Sequence, residues 1–326
     1  MATLTESLLG SDLLTLAALD ARGIGALYET AAATKAEPER FRESLRGRSI
    51  ILLFEKPSLR TRVTFEVGPA RMGAHAFYFD HSKERIGARE AVKDYGRNLE
   101  RWVDCVVARV FSHGVLEDLA ASAAIPVVNA LSDRFHPCQA LADYFTLAER
   151  LGGEDGPSAG LDRLAGFRLA YIGDGNNVCA SLMHGAAILG VEMTVIVPEG
   201  YEPDPGVLEE CRGLARRGGV RRGAIRVTHD PAEVRGAQAV YTDTWVSMGD
   251  EAEKVARMAA FAAYRVDQRL MSLAGRAAVF MHCLPAHRGA EVTDGVIDSK
   301  RSVVYDQAEN RMHVQNALLL HVLGSA

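Results

Sequence analysis

Two guanidinium groups and a hydroxyl fall within one helical turn at Ser58-Leu59-Arg60-Thr61-Arg62, directly after the apolar run Ser49–Phe54. The first N–H groups of a helix have no partner within it, and the helix dipole puts partial positive charge there. Arginine adds forked donors that match phosphate oxygens. The turn therefore predicts a phosphate pocket. A Ser-capped surface helix with solvated arginines uses the same residues, so the other polar clusters must decide between the two.

Four further clusters follow apolar runs in the same way. Arg109 ends the run Val103–Arg109, where a fixed cation can join the same phosphate or polarise a carbonyl. His136-Pro137-Cys138-Gln139 follows Ile125–Ala130. Proline suits the first helical turn, which leaves His136 and Gln139 one turn apart. Gly173-Asp174-Gly175-Asn176-Asn177 follows Arg168–Ile172 and has half of a dinucleotide fingerprint, with Glu199 as a ribose ligand and Val178 where the third glycine belongs. Its paired asparagines suit the carboxylate or amino group of a small ligand instead. The last cluster has two parts, Asp243-Thr244-Trp245-Val246-Ser247-Met248-Gly249 and His282-Cys283-Leu284-Pro285. Asp243 can take an ammonium, Ser247 with nearby backbone can fix a zwitterion, and Cys283 can orient an amine. The alternative for His282-Cys283 is a buried strand end, cysteine being among the most buried residue types.

Such clusters need elements that end together. Apolar runs alternate with helical patterns, which predicts an α/β fold of two doubly wound parallel-sheet domains. Strands are expected at Ser49–Phe54, Ala74–Phe79, Val103–Arg109 and Ile125–Ala130, with helices at Ser58–Met72, Arg89–Arg101, Val115–Ala123 and His136–Leu151. Residues 152–160, rich in Gly, Pro and Ser, read as a linker. The second half predicts strands at Arg168–Ile172, Met193–Val197, Ala224–Val227, Ala239–Thr242 and Ala277–Met281, then Val303–Tyr305 and a helix Glu309–Leu323. The expected domains are 1–150 and 151–308, with the helix at about 309–326 packed back on the first. Ligands of open parallel sheets bind beyond the carboxyl ends of the strands, where every cluster lies.

Composition excludes several classes. The 326 residues exceed what one core usually supports. A net charge of −5 gives no basic field for nucleic acid. Five scattered cysteines without a C-x-x-C pair argue against a disulfide framework or zinc knuckle. Met1–Asp20 lacks a secretory pattern, and no apolar stretch approaches a membrane span. The expectation is a cytoplasmic protein that binds neither nucleic acid nor membrane.

Taken in order, Ser58–Thr61, Arg109, His136–Gln139, Asp243 with Ser247-Met248-Gly249, His282–Pro285 and Glu309-Asn310-Arg311-Met312-His313 resemble the aspartate/ornithine carbamoyltransferase family, from about Leu45 to Leu323. The Ser-Met-Gly and His-Cys-Leu-Pro segments resemble its ornithine branch. The resemblance implies two domains with the active site in the cleft between them. It further implies transfer of a carbamoyl group from carbamoyl phosphate to the δ-amine of L-ornithine, giving L-citrulline in arginine metabolism, in a homotrimer or multiple of trimers, with no metal and no cofactor. It implies that Ser58, Leu59, Arg60, Thr61, Arg109, His136, Pro137, Cys138, Gln139, Cys283, Leu284 and Arg311 hold carbamoyl phosphate, and that Asn177, Asp243, Ser247 and Met248 hold ornithine. Arg60, Arg109, His136, Asp243 and Cys283 are the implied catalytic set: donors stabilise the tetrahedral oxyanion where charge develops, and Asp243 or Cys283 handles the amine proton. Arg85 stands where the family commonly has Gln or His, in a loop that reaches a neighbouring subunit's site, and is carried over to the phosphate. Three rivals remain: an NAD-dependent oxidoreductase built on Gly173–Asn177, a non-catalytic relative, and a carbamoyltransferase for putrescine or N-acylornithine.

Overall fold

The structure is a computed structural model that describes residues 8–217, 225–246 and 251–324. Its strands are β1 (Ser49–Phe54), β2 (His75–Asp80), β3 (Cys105–Arg109), β4 (Val127–Leu131), β5 (Arg168–Ile172), β6 (Glu192–Ile196), β7 (Ile225–Thr228), β8 (Ala239–Thr242) and β9 (Val279–His282). They form two fully parallel sheets, ordered β2-β1-β3-β4 and β7-β6-β5-β8-β9. The chain separates into two units, the described residues of 1–145 with 310–324 and those of 146–309.

In the first unit β1 lies between β2 and β3, so the chain winds first to one side of β1 and then to the other. Such a switch point leaves a crevice beyond the strand ends. The reason β1 sits centrally is its uninterrupted Ile50-Ile51-Leu52-Leu53-Phe54 run, buried on both faces. One core layer packs Ile51, Leu53, Val106, Ala108 and Val127 against Leu116 and Leu119. The second unit repeats the device, with β5 between β6 and β8, over a core of Ile172, Val240, Phe280, Val266 and Leu270.

Three features depart from the sequence reading. Residues 152–160 are helical rather than a linker: a 3-10 turn at Gly153–Asp155 leads into a helix Gly156–Asp162. The strand expected at Val303–Tyr305 is absent, because after one parallel bridge of Ser302 to Phe280 the chain turns into a helix running Val304–Leu323. Its first turn is closed by Gln307 N–H donating to the Val303 carbonyl at 2.9 Å. A helix Ala21–Ala36, capped by Asp20 accepting from Gly23 N–H at 2.7 Å, had no counterpart in the sequence reading. The other strands lie within two residues of their expected starts; Ala224, the expected start of β7, lies outside the described residues.

Candidate active site

The candidate site of the first unit is built at the β1/β3 switch point. Ser58 caps the helix Leu59–Arg71, its Oγ accepting from Thr61 N–H at 3.4 Å and donating to Thr61 Oγ1 at 3.1 Å. Thr61 Oγ1 also accepts from Arg311 Nη2 at 3.0 Å, so the terminal helix delivers a buried guanidinium to the same turn. Arg60 is half-buried beside them. Arg109 closes β3 at a register shift against β4, where Ala108 pairs with Asn129 but Arg109 with Leu131. A bulge of this kind re-aims the side chain that follows it, and the Arg109 side chain is buried.

His136 is buried where both guanidiniums act on it. Burial first, then Arg311 and Arg109, holds its imidazole well below the ordinary histidine value. The ring is therefore neutral at physiological pH and can donate one N–H without adding a third charge. Gln139 completes this wall. Its Nε2 donates to Asp143 Oδ1 at 2.8 Å, which fixes the amide orientation because an ionised carboxylate only accepts. The opposite atom, Gln139 Oε1, is buried and has no hydrogen-bond partner among the described residues. An acceptor left in this condition carries a desolvation cost of roughly 1–3 kcal/mol unless a ligand supplies a donor. The wall thus offers cations, a neutral N–H and one acceptor, the complement of an amide joined to a phosphate.

The second unit has a candidate site of its own at the β5/β8 switch point. Asp243, immediately after β8, is buried and accepts three hydrogen bonds. Cys283 Sγ reaches its Oδ1 at 2.9 Å, Thr244 N–H the same oxygen at 2.7 Å, and Asn176 Nδ2 its Oδ2 at 2.9 Å. Asn176 is held in turn by its own Oδ1, which caps the helix Asn177–Leu189 by accepting from Val178 N–H at 3.0 Å and Cys179 N–H at 3.1 Å. Asn177 opens that helix. Arg257 ties the flanking loops, with Nη1 on Asp174 Oδ2 at 2.7 Å and on the Trp245 carbonyl at 3.1 Å. Asp243, His282 and Cys283 bring three potential ligand atoms within 4.8 Å of one another. The Cys283 thiol already spends its proton on Asp243, which suits an amine site without a metal equally well.

The remaining predicted residues are placed as follows. Pro137 begins the helix Pro137–Gly152. Cys138 turns its thiol into the core, onto the Asn129 carbonyl at 3.4 Å, and burial pushes its pKa up to about 12. It shapes the wall without presenting a reactive sulfur. Leu59 is 75% exposed, so only its backbone is a candidate for anion binding. Arg85 stacks on Phe111, its guanidinium carbon 3.3 Å from the ring centroid, and lies 3.8 Å from Glu55 Oε2. Leu284 follows Cys283 with a positive φ of 56°. Ser247 and Met248 lie outside the described residues.

The sequence reading missed Glu55, Asn176 as the partner of Asp243, and Glu291. Buried Glu55 accepts from Ile86 N–H and Phe111 N–H, both at 2.8 Å, joining the ends of β1 and β3 to the loop that carries Arg85. Its signal was available: an acidic residue directly after a central apolar strand must find donors. The dinucleotide reading of Gly173–Asn177 fails sterically. A Cβ on Gly175 would sit 2.3 Å from Pro203 N and 2.5 Å from the Glu202 carbonyl carbon, so this glycine admits neighbouring protein backbone rather than a pyrophosphate. Glu199 is exposed.

Comparison with known proteins also gives two parts, the second of them running on through most of the terminal helix. Residues 11–149 match the carbamoyl-P binding domain of the aspartate/ornithine carbamoyltransferases, and residues 165–322 match their Asp/Orn binding domain. An ornithine carbamoyltransferase of Shewanella oneidensis is 49% identical over 90% of this chain and 93% of its own. One from Thermus thermophilus is 46% identical over 97% of each. The solved ornithine carbamoyltransferase of Pyrococcus furiosus superposes with a TM-score of 0.89 at 44% identity, covering 98% of this chain and 99% of that one.

Proposed function

The chain belongs to the aspartate/ornithine carbamoyltransferase family, and from that membership we propose that it transfers the carbamoyl group of carbamoyl phosphate to the δ-amine of L-ornithine, releasing L-citrulline and phosphate. The observation that carries this reading is the wall at the β1/β3 switch point, where neutral His136 stands under Arg109 and Arg311 beside the unsatisfied Gln139 Oε1. Ser58, Arg60, Thr61 and Arg311 hold the phosphate, Arg109 and His136 donate to the carbonyl oxygen, and Gln139 Oε1 accepts from the carbamoyl NH2. Ornithine is held by Asn177 and Asp243 with Cys283, and by Ser247 and Met248.

The neutral δ-nitrogen attacks the carbonyl carbon and an N–C bond forms. The carbonyl oxygen takes negative charge, which preorganised donors stabilise at the moment it develops. Collapse breaks the bond between that carbon and the bridging oxygen, the attacking nitrogen passes its surplus proton to the departing phosphate, and phosphate leaves as an anion already surrounded by cations. The amine must shed a proton to attack, and the Asp243–Cys283 pair, 2.9 Å apart, is a ready acceptor and relay. Asp243 already accepts from three donors, so a charged ammonium competes for it better than a neutral amine does.

The proposed enzyme is a cytoplasmic homotrimer of arginine biosynthesis. Supporting a self-association surface, Leu59, Val63 and Val67 form an exposed stripe at i, i+4 and i+8 on one helix, with Phe79 exposed on the edge strand β2. No helix among the described residues is long and apolar enough to cross a membrane. The test is a colorimetric citrulline assay with ornithine, putrescine, N-acetylornithine and aspartate side by side, paired with light scattering for the assembly. Ornithine is expected to be the acceptor; turnover only with another amine overturns the reading.

A further inference from the structure

Glu291 and His282 stand outside the proposed substrate-binding set, yet both are fully buried. His282 ends β9, one residue before Cys283. Its Nδ1 lies 2.8 Å from the Leu284 backbone nitrogen, and its Nε2 lies 3.2 Å from Glu291 Oε1. A backbone N–H can only donate, so Nδ1 is the accepting nitrogen and the ring proton is on Nε2, aimed at the carboxylate. Glu291 is itself anchored by His287 N–H, which donates to Oε1 at 2.5 Å. The His282 backbone N–H is taken up by Gln307 Oε1 at 3.0 Å.

What this chain of bonds holds is unusual. Leu284 has a φ of 56°, the one positive value outside glycine among the described residues, in a region that L side chains rarely adopt. Its N–H cannot join a strand ladder there, and the imidazole supplies the partner that keeps the turn. Cys283, between the two hydrogen-bonded residues, is thereby set with its thiol 2.9 Å from Asp243.

We propose that the Glu291–His282 pair is a positioning device for the acceptor site: Glu291 fixes the imidazole tautomer, and His282 Nδ1 fixes the turn that aims Cys283 at Asp243. The inference rests on the reading of Asp243 and Cys283 as the amine site. Neither member touches substrate, so the loss on mutation appears in turnover.

The experiment compares His282→Ala, His282→Asn and His282→Gln in the full-length protein, with citrulline formation and carbamoyl phosphate binding measured for each. Asparagine can place its amide oxygen where Nδ1 was, whereas glutamine extends its polar atoms toward the Nε2 position. His282→Ala is expected to lower kcat about 30-fold, which is about 2 kcal/mol at about 1.4 kcal/mol per tenfold, with carbamoyl phosphate affinity falling by less than kcat. His282→Asn recovers kcat to within about 3-fold of wild type, and His282→Gln stays low. Equal activity of the Asn and Gln variants overturns the proposal, since a packing role does not separate them. Where the alanine variant does not fold, nitrogen-15 histidine spectra of the wild type decide: Nε2–H with bare Nδ1 is expected for His282, and the opposite tautomer overturns it. A wild type inactive toward ornithine overturns the functional reading instead, a result distinct from either.

Discussion

Replacing Asp243 by asparagine changes one atom and leaves no arrangement that satisfies its neighbours. The carboxylate accepts Cys283 Sγ and Thr244 N–H on one oxygen and Asn176 Nδ2 on the other. An amide has a single oxygen. Placed toward Thr244, it turns its own NH2 against the NH2 of Asn176, which cannot flip because its oxygen caps Val178 and Cys179. Placed the other way, it opposes Thr244 N–H. One buried donor is stranded in either case. A hydrogen bond to a charged group contributes roughly 1.5–3 kcal/mol, which at about 1.4 kcal/mol per tenfold corresponds to about 10- to 150-fold. Asp243→Asn is therefore expected to lower kcat/KM for ornithine by at least about 10-fold. Carbamoyl phosphate binding, measured calorimetrically without ornithine, should fall less than that, because of the three donors only Cys283 is among the residues the resemblance assigns to carbamoyl phosphate. A variant whose kcat/KM for ornithine stays within about 2-fold of wild type refutes the role given to Asp243. Loss of carbamoyl phosphate binding refutes the assignment of Asp243 to ornithine.

Gln139→Leu removes the buried oxygen and also one of the donors to Asp143; carbamoyl phosphate affinity should fall about 10- to 100-fold, the range for one lost buried hydrogen bond to the ligand, and titration calorimetry reads it directly. His136 carries a pH signature. Its folded pKa is depressed by burial, Arg311 and Arg109, so below about pH 6.5 the unfolded chain takes up a proton that the folded chain refuses, and stability falls as the solution is acidified. Denaturant melts of wild type and His136→Gln should diverge between pH 7.5 and 5.5, wild type losing at most about 1.4 kcal/mol per pH unit more than the variant; parallel curves contradict a buried neutral imidazole.

The alternation of apolar runs carried most of the architecture, since fully buried parallel strands such as Ile50–Phe54 read as uninterrupted apolar segments. It failed where a local pattern was overruled. Val303-Val304-Tyr305 is β-prone by composition, but the chain there has only one bridge to β9 before the helix begins. The Gly- and Pro-rich stretch 152–160 looks like a linker, yet Pro157 sits in the first turn of a helix, where its missing N–H does no harm. In the candidate site, the clusters at Ser58, Arg109 and His136 stood out in the sequence because each lies at or shortly after the end of an apolar strand. Glu55 had a signal in its place directly after β1, but the partners of Asn176 and Glu291 did not, because one is a residue tens of positions away in the chain and the other a ring nitrogen whose tautomer no sequence displays.

Gly175 sets a boundary on what this scaffold can become. The space its missing side chain leaves is already filled by the backbone of Glu202 and Pro203, and its own N–H is bonded to the Tyr201 carbonyl at 2.9 Å. No substitution is open at that position by a single step, since backbone on the far side cannot rotate away as a side chain could. Random mutagenesis in search of a new amine acceptor will therefore find its successes at Asn177 and in the segment after Asp243. Libraries that spend diversity on Gly175 will mostly return variants whose backbone must shift there.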